Sequence, residues 1–300
     1  MSFGNGERRL LNQERETRTM DKIADTLLPL YAECSKRLRD AAIKRSSFAG
    51  FYNAKTMNTH TAYVRYCETQ FAETNRKNPS TEDHLGAEDT KKISDVLEYF
   101  VYSGINNGRW IPFTKAIKTA DYDDYKYKID FVLEFISKAT VGHIGIGIDV
   151  TFANDIKKKV NLIKEEIDTY DGKDNKLGRV TYYESEESGM RGELTGLPHV
   201  VLAIDIDVLD DLVHSKDQKN HIIRHIIITE IIEQLHIYAS YAQKVNPACV
   251  PNFTRALRLM TVIQDELRSE QTLEESEYIK NRKMNERLSR ELEIFSRHKK

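Results

Sequence analysis

Two short segments carry the residues best suited to chemistry: YKIDFVLEF (127–135) and HIGIGIDVTF (143–152). Both alternate as strands do, with successive side chains on opposite faces. In the first, Ile129, Phe131, Leu133 and Phe135 share one face, and Lys128, Asp130, Val132 and Glu134 the other. In the second, Gly145, Gly147, Asp149 and Thr151 lie opposite Ile144, Ile146, Ile148, Val150 and Phe152. A tight turn centred near Ala139–Thr140 sets Asp130 directly across from Asp149, their Cβ atoms roughly 5 Å apart. Facing like charges destabilise a sheet. A divalent cation between them removes that penalty, because Mg²⁺ favours one or two carboxylates together with substrate phosphate oxygens. The two glycines clear the same face for a substrate backbone or a packed helix. The plainer reading leaves both aspartates at strand ends on a solvated face, with water between them.

The elements around this pair follow from periodicity and punctuation. Residues 1–18 are polar and expected to be disordered. Residues 19–87 read as a helical N-terminal region, with helices over 20–45 and 59–76 and a loop over 78–89 marked by Pro79 and Gly86. Residues 88–104 form a helix with an apolar stripe of Ile93, Val96, Leu97, Phe100 and Val101, closed by Gly104 as a C-cap. RWIPFTKAI follows as a short strand or loop, then the two segments above, then a helix over 154–169. Strands are expected at RVTYY (179–183) and HVVLAIDID (199–207), and a long helix at 217–244. Pro247 and Pro251 mark a break before a helix over 252–268. The last thirty or so residues read as a charged helix suited to a partner or to self-association. The core, 88–245, is therefore α/β, a hairpin followed by a crossover helix on one side of the sheet, and 246–300 is a helical C-terminal segment.

The constellation resembles the PD-(D/E)XK nuclease superfamily, with its restriction-endonuclease-like mixed sheet flanked by helices. The resemblance covers about residues 88–210. Asp130 matches the family's first aspartate, Asp149-Val150-Thr151 its (Asp/Glu)-x-Lys, and Glu98 in SDVLEYF its helix acid; the acidic, aromatic run DYDDYKYKID (121–130) adds to the likeness. It implies a metal-dependent nuclease acting on DNA or RNA, with Mg²⁺ or Mn²⁺ held by Asp130, Asp149 and the backbone carbonyl of Val150. Glu98 would orient a water or complete a second metal site. Thr151 stands where the family has a lysine, and a hydroxyl supplies no charge. Lys128, on the polar face with Asp130, is the preferred substitute; Lys157 and Lys158 on the following helix are others. The alternative is a nuclease-like fold without catalysis, serving nucleic-acid binding or assembly.

Other signals point less sharply. His221 and His225 have the i, i+4 spacing of zinc ligands but lack an HExxH glutamate, so a polar stripe on an apolar helix is the stronger reading. Asp205 and Asp207 fit a strand running into an acidic loop. KKKVNLIK (157–164) forms a lysine face able to steer phosphates, and Trp110 offers a stacking surface or, more commonly, core. A formal charge of −2 over 300 residues argues against a globally basic nucleic-acid binder. Three dispersed cysteines, Cys34, Cys67 and Cys249, suit a reducing compartment. No run has the length of a membrane span, so a soluble, cytoplasmic protein is expected.

Overall fold

The computed structural model describes residues 24–81, 85–136, 145–151, 156–173, 176–268 and 285–296. Its centre is a four-stranded mixed sheet of β1 (Thr114–Lys118), β2 (Phe131–Phe135), β3 (Gly145–Thr151) and β6 (His199–Ala203), in that order. β1, β2 and β3 pair antiparallel in succession, and β6 joins β3 in parallel. A parallel neighbour requires a crossover. Here it contains helix α5 (Ile156–Thr169) and a separate hairpin of β4 (Arg179–Glu184) and β5 (Arg191–Thr195).

Helices α1 (Tyr31–Ala41), α2 (Ala54–Lys77) and α3 (Ala87–Asn106) precede the sheet, and α4 (Asp121–Tyr127) joins β1 to β2. After β6 come α6 (Ile206–His214), α7 (Ile223–Val245), α8 (Val250–Arg268) and α9 (Glu286–Leu292). α3 packs on β1 and β3 through Ile93, Val96, Leu97, Val101 and Ile105, while α5 and α7 pack against β6. The N-terminal helices share this core, since Ala24, Leu27 and Cys34 are buried within it.

Both edges of the sheet are closed by side-chain amides. Asn106 exchanges two hydrogen bonds with the backbone of Ala116 on β1, at 2.9 and 3.0 Å. Gln234 does the same for Val201 on β6, at 2.9 and 2.7 Å. An open edge leaves backbone groups without a neighbouring strand, and these amides satisfy them at the buried Ala116 and Val201.

Several boundaries differ from those expected. The strand expected from Tyr127 begins only at Phe131, because Asp121–Tyr127 is helical and Lys128 takes a left-handed conformation, φ 57° and ψ 39°, at its C-cap. Three aspartates in the first turn of α4 favour helix over strand, and Asp123 fixes the helix by accepting the N–H groups of Thr181 and Tyr182 at 2.7 and 2.9 Å. β6 likewise stops at Ala203: Asp205 precedes α6 and Asp207 lies in its first turn, so neither extends the strand. α3 continues past Gly104 to Asn106, and the glycine serves close packing instead of a cap: the ring of Trp110 occupies the space where a side chain at 104 would stand. Trp110 is core, 2% exposed and donating to the Gln218 carbonyl at 2.8 Å, which removes it as a stacking surface.

The long helix starts at Ile223, leaving His221 outside it. His221 meets Asp211 at 3.0 Å, and His225 accepts from Arg224 at 3.2 Å, so the two histidines take separate structural partners. The described part of the charged C-terminus is not a free arm. Leu288, Leu292 and Phe295 are buried, and the Phe295 ring lies 4.9 Å from that of Tyr238 and 5.1 Å from that of Tyr241. The N-terminal tract 1–18, the turn over 138–142 and residues 269–284 lie outside the described residues.

Candidate functional site

The β2–β3 register brings Asp130, just before β2, and Asp149, on β3, to the same end of the sheet. The ladder between β2 and β3 pairs Phe131 with Ile148, so the next step of the register falls on Asp130 and Asp149. Regular pairing stops there. The Asp130 N–H donates to the Ile148 carbonyl at 2.8 Å, and its Oδ2 accepts the Val150 N–H at 2.7 Å. A carboxylate thus replaces a backbone carbonyl at the last rung. Because an extended residue presents its N–H and C=O along one edge, the Val150 carbonyl faces the Asp130 side.

Glu98 joins from α3. Its carboxylate lies 2.8 Å from Lys118 Nζ at the end of β1, and Lys118 also reaches Asp124 on α4 at 3.4 Å. Lys159, on α5, ion-pairs with Asp149 Oδ1. The other oxygen, Asp149 Oδ2, is buried and has no hydrogen-bond partner among the described residues. Four carboxylates, those of Glu98, Asp124, Asp130 and Asp149, therefore crowd against the ammonium groups of Lys118 and Lys159.

The electrostatics follow from burial and crowding. Asp130, 8% exposed, is raised well above the carboxylate range, first by burial and then by Glu98, Asp124 and Asp149. Burial also raises Glu98 and Asp149, against the pull of Lys118 and Lys159 respectively. Asp124 goes the other way: burial would raise it, but Lys118, Lys91 and Lys128 outweigh that and hold it low. Burial opposes charge on Lys159, yet Asp149 and Asp130 overcome it and keep the ammonium protonated. His199, fully buried at the start of β6, is likewise pushed down by burial but raised on balance by Glu166, Asp149 and the Lys128 carbonyl.

Asp130 stands within charge reach of both Glu98 and Asp149. Thr151 is buried in β3 beside them, its carbonyl accepting from the Ile204 N–H at 3.3 Å. Lys128 does not share a strand face with Asp130; it is exposed at the α4 C-cap and makes no ion pair with it. Lys157 and Lys158 are exposed too. The lysine at the aspartates is Lys159, and its helix register carried the signal. Ile156, Val160, Ile163 and Ile167 are the buried stripe of α5, and Lys159 falls three residues after the first and four before the third, on the same side. Lys118, Asp124 and His199 carry no such signal in the sequence, since their places depend on contacts between separate elements. The glycine face is filled rather than open: a side chain at Gly147 would meet Ile129 Cδ1 at 3.0 Å, and Ile129 packs with Val180, Leu194 and Leu197 of the hairpin region.

Among the described residues, no group of three or more His, Cys, Asp or Glu is placed to hold a metal ion. A cation would thus rest on two carboxylates with backbone and solvent oxygens, a common arrangement for Mg²⁺. The unpartnered Asp149 Oδ2 and the like-charge pressure on Asp130 suit such an ion. A separate cleft, lined by Arg37, Tyr99, Tyr102, Lys115 and Ile136, opens at the opposite end of β1 and β2. No described helix is long and apolar enough to cross a membrane. Comparison with family models, with curated proteins and with solved structures finds no match to this chain.

Proposed function

We propose that the chain is a metal-dependent nuclease built on a restriction-endonuclease-like core, with Glu98, Asp130, Asp149 and Lys159 as its working residues. The observation that carries this reading is that Asp130, just before β2, stands within charge reach of Glu98 on α3 and of Asp149 on β3, whose carboxylate pairs with a half-buried lysine at one end of a mixed sheet. Asp130, Asp149 and the Val150 carbonyl would hold Mg²⁺ or Mn²⁺. Such an ion polarises a phosphate and lowers the pKa of bound water.

The remaining chemistry belongs to the side chains. Lys159 brings a fixed positive charge to a phosphate oxygen, held in place by Asp149. It supplies from the following helix the ammonium that Thr151 lacks. Glu98, anchored by Lys118, orients a water near Asp130. Asp124, held ionised, keeps Lys118 in place from the other side.

One observation favours the alternative of nucleic-acid binding without cleavage. Lys118 and Lys159 already neutralise the carboxylates they touch, which weakens the demand for an external cation. A single comparison separates the two. Single- and double-stranded DNA and RNA are incubated with Mg²⁺ or Mn²⁺ and either the wild type or Asp149→Ala. The nuclease reading expects cleavage by the wild type alone. Binding with no cleavage by either protein, or equal cleavage by both, rejects it.

A further inference from the structure

Asp130 owes its position to a short, unusual piece of backbone. Lys128 is left-handed, a conformation uncommon for a non-glycine residue, and strain of this kind persists only where surrounding contacts over-determine it. The contacts here are consecutive. His199 Nε2 lies 3.1 Å from the Lys128 carbonyl. Thr119 Oγ1 donates to the Ile129 carbonyl at 2.6 Å and to that of Asp130 at 3.0 Å, and the Thr119 N–H also reaches the Asp130 carbonyl at 3.1 Å. Thr119 continues β1, whereas His199 comes from the far edge of the sheet.

His199 has no exposed surface. A carbonyl only accepts, so Nε2 carries the hydrogen. Nδ1 points towards Glu166 of α5, 3.7 Å away, and the other Glu166 oxygen accepts the Gly178 N–H at 3.3 Å. The backbone of His199 pairs with Gly147, two residues before Asp149. One residue, through its backbone and its imidazole, therefore ties the strand that supplies Asp149 to the joint that supplies Asp130.

We propose that His199 is a positioning residue: its imidazole clamps the Lys128 carbonyl and thereby sets Asp130 against β3, where its carboxylate meets the Val150 N–H. The proposal extends the metal-site reading, but its structural half can be measured without metal. The variants are His199→Leu, which has no donor, and His199→Gln, which keeps an N–H in reach. In the full-length protein, hydrogen exchange at the Val150 amide reports the Asp130 contact, Mn²⁺ titration reports the cation site, and circular dichroism with Tm reports the fold.

His199→Leu is expected to lose Val150 protection and to weaken Mn²⁺ binding about 10- to 100-fold, the usual effect of removing an outer-shell partner. His199→Gln is expected to restore both to within a few-fold, although neither variant regains the native Tm. Unchanged Val150 protection in His199→Leu overturns the clamp, as does equal loss in the two variants. If the wild type binds no Mn²⁺, the metal-site reading fails, and the clamp is still judged on the Val150 amide.

Discussion

At the scale of single residues, the site is a place where stability and chemistry oppose each other. Asp130 is buried among carboxylates, and its pKa is raised by burial and by their charges. A carboxyl raised on folding resists ionisation in the native state, so its share of stability is full below the ordinary carboxylate pKa and is lost as pH rises through the folded value. Asp130→Asn can still accept the Val150 N–H, yet it carries no charge. The variant is expected to melt higher than the metal-free wild type at pH 8, by about 1 kcal/mol or more. The gap closes below about pH 4, where Asp130 is protonated in folded and unfolded chains alike. Thermal melts across that range check the sign; a variant less stable at pH 8 refutes it. Lys159 yields a second prediction. Replacing it with methionine removes the charge beside the reacting phosphate and is expected to slow cleavage by about 10²–10³-fold. Lys128→Met, at an exposed cap, should cost less than tenfold.

At the scale of elements, the strongest test concerns the sheet edges. Gln234→Leu strips both hydrogen bonds from Val201 and leaves a buried N–H and C=O unsatisfied, at a cost of about 1–3 kcal/mol each. Urea unfolding should show a lower midpoint with an unchanged m-value. The elements also show what the sequence could disclose. β3 and its register with β2 were readable, because alternation and the spacing between Asp130 and Asp149 are local properties, and so was the stripe of α3 that carries Glu98. α4 was not: the expected strand took in its last residue, Tyr127, and the helix is held by Asp123 reaching β4, some sixty positions away. Lys118 and His199 escaped for the same reason, since each acquires meaning only when β1 or β6 is set beside the aspartates. Lys159 differed: helical spacing alone separated it from Lys157 and Lys158.

At the scale of the whole molecule, the charge is nearly balanced, at −2, so any attraction for a polyanion must be local. The first turn of α5 has that character. Lys157, Lys158 and Lys159 follow one another there, with no acidic residue in the turn. Cations at a helix N-terminus oppose the macrodipole and cost about 0.3–1 kcal/mol apiece. Lys159 is accounted for by Asp149, whereas Lys157 and Lys158 are exposed. Lys128, also exposed, lies near enough to Asp124 to lower it. A phosphate backbone crossing the site would meet these exposed lysines. Binding measured over a range of salt without divalent metal is therefore expected to show a log–log slope that falls by about 1 for each of Lys128→Gln, Lys157→Gln and Lys158→Gln. Lys36→Gln on α1, whose lysine pairs locally with Asp40, should leave the slope unchanged. Equal slopes for the wild type and all four variants would move the nucleic acid to another face of the molecule.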